Sequence, residues 1–95
     1  MKKDGKGIEY YDNNIINFEG EYLNGKRNGK GKKYYCDGFL EFEGEYLNGK
    51  KWTGKGYNKN SKIEYEIKGG KGHIKEYFYN YELKISKWYW AFLIE

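Results

Sequence analysis

The sequence predicts an all-β protein, an elongated single antiparallel sheet of tandem β-hairpin repeats. The strongest observation is a duplication: residues 18–25 and residues 42–49 both read FEGEYLNG, 24 residues apart. Inside this octapeptide, Phe18, Gly20 and Tyr22 alternate with glutamates, which is the two-residue period of a β-strand. A fixed repeat of this length indicates an architecture of similar units placed side by side.

Turn signals separate the predicted strands. Each octapeptide ends in Asn-Gly, a pair that supplies the positive φ angles required by tight hairpin turns. A second strand then begins at a Gly-Lys-Gly motif, and this motif recurs at residues 5–7, 29–31, 54–56 and 70–72. Each repeat is therefore predicted to be one hairpin, and successive hairpins are predicted to extend one sheet to a length of about 35 Å.

The repeats divide the chain into five predicted units. The chain begins in the second half of a repeat, continues through two complete repeats and then departs from the pattern. The units are residues 1–17, a partial repeat; 18–41 and 42–64, two repeats; 65–84, a degenerate repeat; and 85–95, an aromatic tail or cap. Because the outer units are incomplete, one hypothesis makes the chain a piece of a longer repeat protein with an enzymatic domain elsewhere.

Aromatic rings are the predicted core of this sheet. The mean hydropathy is −1.11 and aliphatic residues are few, a composition close to that of disordered chains. The chain nevertheless has 12 Tyr and 3 Trp, which bring large ring areas and strand propensity, and 14 Gly without any Pro. Gly20 lies between Phe18 and Tyr22, so a neighbouring ring can lie over the position that has no side chain.

One combination of these residues is specific enough to indicate a family. It reads Phe18-x-Gly20-x-Tyr22-x-Asn24-Gly25-Lys26-x-x-Gly29-x-Gly31, followed by Tyr34-Tyr35 and Asp37-Gly38. This combination resembles the MORN (membrane occupation and recognition nexus) repeat, and the resemblance covers residues 5–84. It implies an elongated antiparallel sheet of hairpins with a grooved face, and a role as an interaction module for proteins or membranes.

No motif in the sequence indicates catalysis. Residues 20–26 have the G-x-x-x-x-G-K spacing of a phosphate-binding loop, but Arg27 stands where that loop needs Ser or Thr, and a strand is predicted to follow. The glutamates Glu41, Glu43 and Glu45 are predicted to share one strand face and to pair with lysines across the sheet. These patterns favour hairpin turns and ion pairs over a catalytic site.

The remaining chemistry of the chain is equally sparse. His73 and Cys36 are single residues far apart in sequence, without the spacing of a metal site or of an activated nucleophile. We therefore expect a protein that is not an enzyme and that has no cofactor, no metal and no small-molecule substrate. The single cysteine and the lack of an apolar leader or membrane-spanning stretch favour a cytoplasmic location, with peripheral membrane or cytoskeletal association as a further expectation.

Basic turns and exposed aromatic residues are the candidate binding residues. The cations of two successive turns are expected to line one rim of the sheet; they are Lys26, Arg27, Lys50 and Lys51. Near an anionic membrane, each such cation contributes about 1 kcal/mol. The aromatic candidates are Tyr22 and Tyr46 on the grooved face and Trp88 and Trp90 in the uncharged stretch 88–94. For that stretch, a capping strand, a surface for self-association or a partner, and an interfacial membrane anchor stay open as interpretations.

These features predict a non-enzymatic interaction or scaffold module that associates with a protein partner, with a second copy of itself or with a membrane. The first alternative is a peripheral binder of anionic phospholipid that uses the basic turns and the C-terminal aromatic residues. Nucleic acid is not an expected partner. The net charge of +4 is small, and the glutamate rows would repel a phosphate backbone.

Overall fold

The computed structural model describes residues 3–77 and 81–91, and within them it contains eight β-strands and no helix. The strands are β1 (Gly5–Tyr10), β2 (Ile16–Leu23), β3 (Lys26–Tyr34), β4 (Leu40–Leu47), β5 (Lys50–Tyr57), β6 (Ile63–Ile67), β7 (Lys71–Tyr77) and β8 (Leu83–Trp90). Every pairing is antiparallel between neighbours in the chain. The all-β prediction of tandem hairpins is confirmed.

The predicted single sheet extends over six strands. Strands β1 to β6 pair in chain order, whereas β7 and β8 form a separate two-stranded sheet. The break lies at Gly69 and Gly70, whose φ angles of 58° and 83° reverse the chain beside one isolated bridge, Lys68–Lys71. Strand β7 then packs so closely on β6 that a Cβ on Gly72 would lie 2.3 Å from a carbonyl oxygen. The molecule is therefore broader than the predicted ribbon, with extents of 37 × 32 × 21 Å.

The Asn-Gly pairs form the predicted hairpin turns. In the first octapeptide, Asn24 and Gly25 have φ angles of 53° and 82°, and in the second, Asn48 and Gly49 have φ angles of 50° and 87°. Two successive positive φ angles are typical of the type I′ turn, whose twist matches that of the flanking strands. The turn residues thus determine where β2 ends and β3 begins, and likewise for β4 and β5.

A row of glycines crosses the six-stranded sheet. The cross-strand pairs are Gly7–Gly20, Gly20–Gly31, Gly31–Gly44 and Gly44–Gly54. The space above the row is taken by rings: a Cβ on Gly31 would lie 2.6 Å from the Phe18 ring, and one on Gly54 would lie 2.7 Å from the Phe42 ring. The prediction that rings lie over glycine positions is confirmed.

The core is a layer of rings on the glycine side of the sheet. Phe18 and Phe42 are fully buried, and Tyr22 and Tyr46 are almost so. Their rings meet edge to face, with centroids 5.1 Å apart for Phe18–Tyr46 and 5.7 Å apart for Phe42–Tyr46. Such pairs contribute about 0.5–1.5 kcal/mol each beyond the burial of their area. A single layer of sheet can thus hold a core because each octapeptide places two large rings on the same face.

Hydrogen bonds between neighbouring repeats hold the turns in place. The backbone N–H of Gly25 donates to the Lys3 carbonyl oxygen at 2.9 Å, and that of Gly49 donates to the Arg27 carbonyl oxygen at 2.8 Å. At the opposite ends of the strands, the Tyr35 hydroxyl donates to the Tyr57 carbonyl oxygen at 2.7 Å. Each Asn-Gly turn is therefore bonded to the repeat before it, which couples neighbouring repeats.

Candidate functional site

A groove of about 900 Å³ runs along the face of the sheet opposite the rings. The backbone of the glycine row forms its base, and side chains of β1 to β4, all of them charged except Ile8, form its two sides. One side is lined by Lys6, Glu21, Lys30 and Glu45, and the other by Ile8, Glu19, Lys32 and Glu43. Because successive residues of a strand point to opposite faces, the alternation that buries the rings also places these charges together.

Acidic and basic side chains alternate across the strands along both sides of the groove. Lys32 lies opposite Glu19 on one neighbouring strand and opposite Glu43 on the other, with its Nζ 3.8 Å from a Glu43 carboxylate oxygen. The Glu21 carboxylate accepts a hydrogen bond from the backbone N–H of Lys30 at 2.7 Å. The groove therefore presents separate carboxylates and ammonium groups on a polar base, an arrangement suited to a polar, extended ligand.

The predicted ion pairs across the sheet agree with the register, except at Glu41. Lys32 and Lys55 both lie opposite Glu43. Glu41 was expected on the same face as Glu43, but its carboxylate lies 3.5 Å from the Nζ of Lys33 and 3.8 Å from that of Lys51 on the ring side. The cause is a register shift between Lys33 and Tyr34, which rotates the start of β4 relative to its partner.

Arg27 does not lie on a basic rim as expected. Its guanidinium is 4.1 Å from the centre of the Phe18 ring, and its Nε and one terminal nitrogen each donate to Glu9 at 2.9 Å. Its side chain is only 23% exposed. The two hydrogen bonds from Arg27 are the main reason that the pKa of Glu9 is below its usual range. Arg27 is thus a planar cation that covers a core ring and binds a carboxylate with two hydrogen bonds.

Lys51 also lies over the rings instead of at the rim. Its side chain is 19% exposed, and its Nζ is 4.8 Å from the centre of the Phe42 ring and 3.2 Å from the Tyr65 hydroxyl. Burial lowers the pKa of Lys51, and the nearby Glu41 carboxylate opposes that shift. Lys51 thus covers the edge of the ring layer.

The other two cations of the predicted rim differ from each other. Lys26 is exposed at the turn. Lys50 is half-buried, and its Nζ donates to the Ala91 carbonyl oxygen at 3.0 Å. The four cations therefore do not form one row of solvated charge, because two cover rings and one binds the backbone that follows β8.

The aromatic candidates fall into two environments. Tyr22 and Tyr46 belong to the buried ring layer, and the Tyr22 hydroxyl donates to the Glu9 carboxylate. Burial, reinforced by this hydrogen bond, raises the pKa of Tyr22 to about 12. Trp88 and Trp90 are instead 58% and 40% exposed on β8. Phe92, Leu93 and Ile94 of the predicted aromatic stretch lie outside the described residues.

A comparison with protein families agrees with this geometry. The model of the MORN repeat matches residues 2–15 and 18–39, which contain β1, most of β2 and all of β3. Residues 2–39 of this chain therefore carry MORN repeats. Beyond the matched residues, the second octapeptide repeats the MORN geometry of the first, since Phe42 and Tyr46 are buried as Phe18 and Tyr22 are. Neither the curated proteins nor the solved structures contain a match to the chain.

Two features of these MORN repeats were not predicted. One is the continuous glycine row beneath the groove, although the equal spacing of 24 residues from Gly7 to Gly31 and from Gly20 to Gly44 is a signal for it. The other is the pairing of Arg27 with Glu9 and of Lys51 with Glu41. Nothing in the local sequence indicates those pairs, because the partners lie on other strands.

Proposed function

We propose that this chain is a non-enzymatic interaction module whose groove binds an extended segment of a protein partner. The observation that carries the proposal is the groove itself, which has a backbone base and alternating charges on both sides. A polar peptide can place its own charges opposite those of the groove, which gives specificity and register more than raw affinity. MORN repeats generally serve as modules for protein or membrane interaction, and this assignment is in keeping with that role.

The chemistry of the groove favours binding over catalysis. Its carboxylates stand beside lysines on an open surface, whereas general acid–base catalysis depends on an enclosure that adjusts pKa values. Among the described residues, no group of three or more His, Cys, Asp or Glu side chains is arranged to hold a metal ion. A protein ligand is also favoured over an anionic lipid surface, because Arg27 and Lys51 are engaged with the ring layer and with carboxylates.

Site-specific photo-crosslinking in cells that produce the protein tests the proposal. A photoreactive residue replaces Lys32 in the groove, and a matched control replaces Lys59, which is exposed in the turn between β5 and β6. We expect discrete protein adducts from position 32 and none of the same mass from position 59. A photoreactive residue in place of Glu19, which also lines the groove, should yield the same adducts, and the charge reversals Lys30→Glu and Lys32→Glu should remove the adducts from position 19.

The proposal is wrong if position 32 yields lipid adducts alone, or if positions 32 and 59 yield the same proteins. Flotation with vesicles that contain acidic phospholipid provides the independent comparison. Binding to such vesicles that charge reversal in the groove abolishes would replace the peptide ligand with a membrane.

A further inference from the structure

The outer face of the hairpin β7–β8 is a second surface with its own chemistry. In this hairpin, Gly72, Ile74 and Tyr89 are buried, and the residues that alternate with them point away from the core. The alternating positions pair across the two strands as Lys71 with Trp90, His73 with Trp88, and Lys75 with Ser86. Two tryptophans that are 58% and 40% exposed thus stand side by side at the end of the molecule.

This face is basic as well as aromatic. Its six register positions hold two lysines, a histidine, a serine and two tryptophans, and none of them is a carboxylate. The Lys71 Nζ lies 5.9 Å from the centre of the Trp90 ring. Glu76 is not on this face. It lies one residue from Lys75 on β7, so it belongs to the opposite face of the hairpin, and its cross-strand partner there is Ile85. The face therefore complements a ligand that is both acidic and able to contact flat rings.

The second edge of β8 is open in the described part of the chain. Strand β8 pairs with β7 along one edge, and no described strand pairs with the other. The strand is nevertheless held firmly, because the Tyr89 hydroxyl donates to the Lys51 carbonyl oxygen at 2.9 Å and the Ala91 N–H donates to the Gly70 carbonyl oxygen at 2.7 Å. An ordered edge with free N–H and C=O groups is a template for an added strand.

We propose that the outer face of β7–β8 binds an acidic, extended polypeptide of a partner protein, which adds as a strand to the free edge of β8. The added strand lies two strand spacings, about 10 Å, from β7. An extended lysine side chain on β7 and a glutamate side chain on the added strand are together long enough to span this distance. Its side chains on the outer face stand beside Trp88 and Trp90, within the contact distance of cross-strand neighbours. Tryptophan and lysine side chains thus give specificity, and the backbone ladder gives affinity.

The open edge decides between this ligand and other anionic ones. A membrane surface brings acidic groups to the lysines and a non-polar layer to the tryptophans, but it leaves the N–H groups of the edge without acceptors. A nucleic acid strand cannot form a β-ladder with β8. A second copy of this chain that paired through its own β8 would bring a strand with two lysines and no carboxylate to the basic face. The acidic strand alone satisfies the charge, the rings and the backbone.

Titration with designed peptides tests this inference. The probe has the length of β8, eight residues, and alternates Glu with Val; a second peptide has Lys in place of every Glu; a third has Pro at alternate positions and so lacks the N–H groups of the ladder. Calorimetry on the whole chain measures each Kd. We expect saturable binding of the Glu peptide and binding weaker by at least about tenfold for the Lys and Pro peptides.

Matched variants locate the binding site. Trp88→Ser and Lys71→Glu should each weaken the Glu peptide by about tenfold. Tyr10→Ser and Lys59→Glu should leave it unchanged, since Tyr10 is 59% exposed, as Trp88 is, but lies on β1. Because all four side chains lie largely in solvent, circular dichroism should show the same fold for every variant.

The inference is overturned if the Glu peptide does not saturate up to about 1 mM, if the Lys or Pro peptide binds equally well, or if Trp88→Ser retains full binding. Binding of anionic vesicles or of an oligonucleotide in place of the Glu peptide also overturns it. This test is independent of the groove. The double variant Lys30→Glu, Lys32→Glu should bind the Glu peptide with an unchanged Kd, although the same charge reversals should remove the cross-linked adducts of the groove.

Discussion

At the scale of single residues, equivalent positions of the two octapeptides have different polar surroundings. Tyr22 and Tyr46 occupy the same place in the repeat, and both rings are buried. The Tyr22 hydroxyl donates to Glu9, which is also bound by Arg27. The Tyr46 hydroxyl is buried without a hydrogen-bond partner among the described residues. The same amino acid therefore stabilises the first repeat through its ring and hydroxyl, and the second through its ring alone.

This difference predicts opposite effects of removing the two hydroxyl groups. Tyr22→Phe should lower the free energy of unfolding by about 1 kcal/mol, because it removes a hydrogen bond to a carboxylate. Tyr46→Phe should leave the free energy unchanged or raise it by a few tenths of a kcal/mol, because a buried group without a partner disappears. Urea unfolding of the two variants measures both values. Equal losses in the two variants would contradict the assignment of the hydroxyl environments.

At the scale of the hairpin, the turns after β2, β4 and β6 are each stabilised by a side chain of the repeat before them. The Asn24 N–H donates to an Asp4 carboxylate oxygen at 2.7 Å, and the Asn48 N–H donates to the Asn28 side-chain oxygen at 3.0 Å. The Gly69 N–H likewise donates to the Thr53 hydroxyl at 3.1 Å. Three different acceptors at equivalent positions perform the same task. These turns therefore require a side-chain oxygen within hydrogen-bond distance and do not require one particular amino acid.

Removal of one such acceptor should loosen one turn. Asn28→Ala should lower the free energy of unfolding by about 0.5–1.5 kcal/mol and speed amide hydrogen exchange at Asn48. Asn60→Ala is the matched control, since Asn60 lies exposed in the turn between β5 and β6. Exchange at Asn48 that is as slow in Asn28→Ala as in the control would show that the side chain does not hold the turn.

At the scale of the whole molecule, the tyrosine core couples stability to alkaline pH. Burial raises the pKa of Tyr22 and of Tyr34 from 10.0 to about 12, reinforced by hydrogen bonds to Glu9 and Glu19. Burial raises the pKa of other tyrosines as well, namely Tyr35, Tyr46, Tyr65, Tyr81 and Tyr89. In the folded chain these hydroxyl groups keep their protons at pH values where the unfolded chain loses them.

The sign of the pH dependence follows from these shifts. A group whose folded pKa is raised contributes stability that is complete below its unfolded pKa and is lost as the pH rises through the folded pKa. We therefore expect the urea midpoint to be constant near pH 8 and to fall steeply between about pH 10 and pH 12. Lys51, whose pKa burial lowers, acts in the opposite direction but is a single group. Tyr34→Phe should reduce the fall, and an unchanged fall in that variant would refute its proposed cause.

The architecture of the six-stranded sheet could be predicted because its determinants are local. Strand period, Asn-Gly turns and rings beside glycines all lie within a few residues of each other, and the FEGEYLNG duplication repeats them in register. The end of that sheet could not be predicted. It depends on how Gly72 of β7 packs against the backbone of β6, a contact between elements.

The candidate binding residues were harder to place than the strands. The sequence by itself determined that Lys26, Arg27, Lys50 and Lys51 would follow the turns, and that Tyr22 and Tyr46 would share a strand face. Only the tertiary structure decided that Arg27 and Lys51 cover rings and bind Glu9 and Glu41, while Trp88 stays exposed. The physical reason is the length of these cationic side chains. The charged end of such a side chain can lie in solvent or over a ring. The carboxylates that hold Arg27 and Lys51 over the rings belong to other strands, so the local sequence does not indicate which position is occupied.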